Sequence, residues 1–155
     1  RGPGFPTQSN GTTWDQLRAG YLFMEQSLLE PRLNCLEVWG LRRDERRMRA
    51  ATTLALTHGN GSALFADPNP LKTPDHLHDW YPFWDIKLGR PIGSRTDRSD
   101  GSSLREFEGG TVVYNHHGNG PIRLTFPTRR TRVSTKESSR EFALQDADGD
   151  IFVQP

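Results

Sequence analysis

Residues 75–88 read Asp-His-Leu-His-Asp-Trp-Tyr-Pro-Phe-Trp-Asp-Ile-Lys-Leu. Four rings (Trp80, Tyr81, Phe83 and Trp84) stand among Asp75, Asp79 and Asp85 and two histidines, His76 and His78. A sugar site needs flat apolar faces for the C–H side of the ring and carboxylates for its hydroxyls. Trp39, Trp80, Tyr81 and Trp84, with Asp79 and His78, are therefore candidate glycan-binding residues. The bland alternative is that the rings plug an interface between two parts of the chain, which suits Phe83 best.

Hydrolysis of a glycosidic bond would add a second requirement, an acid and a nucleophile or base facing each other across the sugar. Glu37, Asp67 and Asp85 are the candidates for that pair. Each also has an ordinary use in a turn or at a helix end.

Other patterns carry less. His76 and His78 lack a third placed ligand, so no metal is expected there. Asp146-Ala147-Asp148-Gly149-Asp150 puts glycine fourth, where a calcium loop needs it sixth, and reads as a hairpin turn. Arg42, Arg43, Arg46, Arg47 and Arg49 are interrupted by Asp44 and Glu45 and read as a solvated helix face. Arg129, Arg130 and Arg132 form a second cluster. Neither has the interleaved aromatics of a nucleic-acid motif, so no nucleic-acid partner is expected. No cofactor is expected either.

These residues must be positioned by a chain of 155 residues with 33% hydrophobic side chains and a net charge of +1. Such a balance gives no overall field toward nucleic acid or membrane. No apolar run approaches the ~20 residues of a membrane span, and no signal peptide is visible. Cys35 is the only cysteine, so no intrachain disulfide can form.

Thr13 and Gln16 make a capping box for a helix whose inward stripe is Leu17, Tyr21, Met24 and Leu28, stopped by Pro31. Leu33–Trp39 reads as a buried strand. Asp44 caps a second helix with Met48, Ala51 and Ala55 inward and Arg46, Arg47 and Arg49 outward. Ser62–Ala66 is a second strand. Helix, strand, helix, strand predicts an α/β unit with a parallel pair, whose ligands gather at the carboxyl ends of the strands. From residue 104 short alternating strands follow, at 104–107, 111–115, 122–126, near 132–134, 141–144 and 151–153. The expected fold is α/β followed by all-β: an α/β unit over 1–93 and a small antiparallel, sandwich-like module over 94–155.

Several stretches occur in a familiar order: "LNCLEVWG", "ALTHGNGSALFAD", "WYPFWDIKLGRPIG", "REFEGGTVVYN" and "FALQDADGDIFV". Together they resemble the C-terminal part of bacterial glycoside hydrolases of the kind known as hypothetical glycosyl hydrolases. The likeness spans roughly residues 33–155 and is strongest over Arg105–Asn115. It implies the end of a (β/α)8 barrel followed by a C-terminal β-sandwich. It also implies an oligosaccharide or polysaccharide partner, and an extracellular or periplasmic location. Pro82-Phe83 stands where the family has an acidic pair, and only Asp85 keeps its acidic place. A full barrel takes about 250 residues, so these would be its last two strands, and the rest of a larger chain would be a partner. A non-catalytic carbohydrate-binding or adhesion module, and an interaction domain with no sugar, are the alternatives.

Overall fold

The computed structural model describes residues 13–67, 77–78 and 80–155. Helix α1 spans Trp14–Ser27. Thr13 Oγ1 accepts from the Gln16 amide at 3.2 Å, and Gln16 Oε1 accepts from the Thr13 amide at 2.9 Å, which closes the capping box. The helix ends before Pro31, and its inward face is narrower than expected. Trp14 and Tyr21 are buried, whereas Met24 is exposed.

Strand β1 (Leu36–Trp39) and strand β2 (Ala63–Asp67) are parallel, with Leu36 opposite Ala63 and Trp39 opposite Ala66. Between them runs α2 (Glu45–His58), capped by Asp44, whose Oδ1 accepts from the Arg47 amide at 3.2 Å. The two-residue β3 (Leu77–His78) lies antiparallel on the end of β2.

The remaining strands are β4 (Thr96–Asp97), β5 (Ser103–Phe107), β6 (Gly110–Asn115), β7 (Ile122–Arg132), β8 (Ser138–Leu144) and β9 (Asp148–Val153). They form one antiparallel sheet in the order β4-β5-β6-β9-β7-β8. An N-terminal mixed α/β region is thus followed by a larger antiparallel sheet, and no barrel closes among the described residues. The segments expected at 122–126 and near 132–134 belong to one region. A register shift between Thr125 and Arg130 carries β7 past Pro127 and on to Arg132. The turn expected over 146–150 is confined to Asp146-Ala147, and Asp148 and Asp150 are buried in β9.

Helix α2 is the centre of the molecule. It packs on β1 and β2 from one side and on β6 and β9 from the other. A helix buried on both sides loses the single apolar stripe of a surface helix, and small side chains let the sheets come close. A Cβ at Gly149 of β9 would stand 1.8 Å from Thr53 Oγ1 and 2.8 Å from the Val113 carbonyl. Only glycine fits there.

This burial corrects the outward placement of two arginines. Arg47 is 5% exposed and donates through Nη1 to the Trp39 carbonyl at 3.0 Å. Arg49 makes a two-pronged bond to Asp148, both contacts 3.1 Å. Arg132 at the end of β7 and Ser134 in the turn after it hold the fully buried Asp150.

One hydrophobic cluster runs through both halves of the chain, from Trp14, Val38 and Phe65 to Tyr114, Val133 and Ile151. It does not stop at residue 93. A second cluster (Val113, Leu124, Phe126, Phe142 and Phe152 among them) is buried on the far face of the antiparallel sheet.

Candidate functional site

The aromatic loop becomes a short 3-10 helix, Pro82–Asp85, with proline in its first turn, where a missing N–H costs nothing. The Trp84 amide donates to the Tyr81 carbonyl at 2.9 Å and closes the turn. This tight winding sends the rings to different places.

Tyr81 is 5% exposed, its hydroxyl donates to the Arg42 carbonyl at 3.2 Å, and its ring meets Phe65 edge-on. It cannot present a face to a sugar, which corrects its expected stacking role. Phe83 is buried, as the plug reading has it. Trp84 is half-buried. Its Nε1 donates to Thr52 Oγ1 at 2.9 Å, and that hydroxyl in turn donates to the Met48 carbonyl at 2.9 Å.

Trp80 is different: it is 66% exposed. Its ring stands edge-to-face with Trp84, centroids 5.6 Å apart, and its Nε1 donates to Asp85 Oδ1 at 2.7 Å. An exposed indole is thus fixed in orientation from two directions.

Trp80 and Trp84 wall a cleft of about 620 Å³. Thr52 and Leu56 from α2, Ala63 and Leu64 from β2, and Lys87 and Leu88 also line it. Gly61, with φ at +88°, closes the end of α2 beside it, a conformation other residues adopt only with strain. The cleft opens along the side of β2 at its beginning. The carboxyl ends of the strands, where the α/β pattern predicts ligands, are elsewhere. The displacement arises because the chain after β3 runs back down beside β2 and carries the rings with it.

Among the described residues the carboxylates do not gather there. Glu37 lies in the middle of β1 opposite Leu64, on the face of the sheet away from the buried Leu36 and Val38. Trp39 ends the same strand, half-buried, with its carbonyl taken by Arg47. Asp67 and His78 are placed by backbone pairing alone, Asp67 with Leu77 and His78 with Ala66. Asp79, with Asp75 and His76, lies outside the described residues. Asp85 is at the rim, engaged with Trp80. Among the described residues no carboxylate lines the cleft, and its one ionisable group is Lys87. No group of three or more His, Cys, Asp and Glu side chains capable of holding a metal occurs among the described residues. No described helix is long and apolar enough to cross a membrane.

Nothing in the local sequence pattern singles out Thr52, Leu56 or Leu64 as cleft residues. Their spacing of four on α2 puts Thr52 and Leu56 on one face, but nothing local says that Trp84 sits against it.

No family model, curated protein or solved structure matches the chain.

Proposed function

We propose that this chain is the C-terminal, carbohydrate-facing part of a glycoside hydrolase-like protein, and that its own task is to bind the glycan. Trp80 carries this reading. A free indole face, oriented by Asp85 and Trp84 at the mouth of an apolar cleft, is what the C–H face of a sugar stacks on. Trp84, Leu64 and Leu56 extend the apolar wall, and Lys87 and Asp85 supply polar contacts at its edge.

Binding is favoured over bond cleavage by the cleft's composition. Hydrolysis needs two carboxyl groups about 5–9.5 Å apart across the scissile bond, and the described lining offers none. On the same reading, β1, α2 and β2 are the end of a (β/α)8 barrel, and β4–β9 are a sandwich-like module. The parallel pair joined through a helix supports the first half of that assignment. An extracellular or periplasmic location follows from a glycan ligand.

The test is titration of the purified chain with neutral oligosaccharides, read by calorimetry and tryptophan fluorescence, alongside an assay for released reducing ends. Saturable binding without release is expected. Release of reducing ends by these 155 residues would instead make the chain an enzyme. No response to any glycan would leave an interaction domain.

A further inference from the structure

The β7–β8 ribbon carries a charge that the rest of the chain does not. From Ile122 to Leu144 there are six basic residues against two acidic ones, a net charge of +4 in a chain whose total is +1. Arg132 is committed to the buried Asp150. The other four arginines (Arg123, Arg129, Arg130 and Arg140) have no carboxylate within 4.0 Å among the described residues, whereas Arg32, Arg47, Arg49, Arg95 and Arg98 each have at least one. Two of the four are tethered to the ribbon's own backbone. Arg140 Nε donates to the Phe126 carbonyl at 3.4 Å, and Arg129 Nη1 donates to the Ser138 carbonyl at 3.5 Å. Arg130 lies over the Phe126 ring at 5.8 Å.

Strand alternation explains the arrangement. Ile122, Leu124 and Phe126 are buried, so Arg123 and Thr125 face out, opposite Ala143 and Glu141. Two shallow depressions of about 630 and 470 Å³ meet at Thr125 and Glu141. Arg123 and Arg132 line the first, and Arg129, Arg140 and Ser139 the second. Together they make one trough, with guanidinium groups along both halves and hydroxyls between. It shares no lining residue with the Trp80 cleft.

Guanidinium forks match carboxylate and sulfate oxygens two at a time. Carboxylates such as Glu137 and Glu141 in the walls can accept from hydroxyls, which a sugar offers between its charges and a DNA backbone does not. No exposed ring lies in the trough for a base to stack on. We propose that the trough binds an acidic glycan, one carrying carboxylates or sulfates along its length. The inference rests on the reading above in taking the ligand to be a glycan, and it adds the charge class and a second face.

The test compares polygalacturonate, dextran sulfate, neutral dextran and duplex DNA as ligands of the full chain, at about 50 and 300 mM salt, where screening differs strongly. One or both acidic glycans should bind tighter than dextran at low salt, and their relative affinities tell carboxylate from sulfate recognition. The R123Q/R129Q/R140Q variant, exposed at each position, should keep its thermal midpoint and lose about tenfold or more in acidic-glycan affinity, with dextran unaffected. Trp80→Ala should lower dextran binding and spare this charge-dependent part. Equal affinity for acidic and neutral glycans, an unchanged triple variant, or DNA binding tighter than both acidic glycans would overturn the inference. If dextran binding through Trp80 persists in that event, the cleft reading survives. If acidic binding persists while dextran and Trp80→Ala have no effect, the cleft reading falls instead.

Discussion

Trp80 Nε1 donates to Asp85 Oδ1 at 2.7 Å, so the most exposed ring of the aromatic loop is held by a carboxylate five residues on. The acid's part here is positioning. Asp85→Asn keeps an oxygen acceptor and should bind neutral oligosaccharides within about twofold of the parent. Asp85→Ala frees the indole and should cost about 0.5–1.5 kcal/mol of binding, the price of ordering one side chain. Calorimetric titration of both variants reads the difference, and equal losses for Asn and Ala would mean that the acceptor oxygen does not position the ring.

Arg49 joins α2 to β9 through the buried Asp148. Burial pushes the Asp148 carboxyl up, and Arg49 pulls it back down. Arg49→Ala would leave a buried carboxylate without its main partner and should destabilise by about 3–5 kcal/mol. Urea unfolding measures it, and a loss under about 1 kcal/mol would mean that the pair adds little.

Much of the local architecture was legible. The caps at Thr13 and Asp44 depend on a side chain and an amide three residues away, and both form. The parallel pair followed from element order. What sequence could not show was anything set by two faces at once. A helix packed between sheets has no solvent stripe, so Arg47 and Arg49 look like surface residues until the Trp39 carbonyl and Asp148 are brought to them. The same holds for the cleft. Tyr81 and Trp80 are neighbours of similar chemistry, and only the 3-10 turn and the return of the chain beside β2 bury one and expose the other.

Gly149 sits under Thr53 with no room for a methyl group. Gly149→Ala should destabilise by about 1–3 kcal/mol or more, as overpacking does. Adding Thr53→Ala should recover only part, because the Val113 carbonyl stays in place at 2.8 Å. Thermal unfolding of the single and double variants reads both; full recovery would mean that Thr53 alone limits the approach.

His58 gives the fold a pH dependence. Burial, then Arg95 and Arg18, lower its pKa to about 4, with Asp97 opposing. Its Nδ1 lies 2.8 Å from Thr57 Oγ1, which donates to the Thr53 carbonyl at 2.6 Å. The unfolded chain protonates near pH 6.5 and the folded one near 4, so the unfolded state binds the extra proton between them. Stability should be full above pH 6.5 and fall as pH drops toward 4, with a slope of at most ~1.4 kcal/mol per pH unit from this group. The raised Asp148 pKa acts in the opposite sense and favours the folded state as acid is added. Urea midpoints at several pH values should flatten over this window in His58→Gln, and an unchanged slope there would assign the effect to other groups.

The central claim concerns the free face of Trp80, and calorimetric titration of the parent and Trp80→Ala with one neutral oligosaccharide tests it most directly. The ring is largely outside the core, so the variant should keep its thermal midpoint. It should bind about 1–2 kcal/mol more weakly, roughly 5–30-fold. Binding unchanged by Trp80→Ala, in a protein that folds as before, would contradict the account.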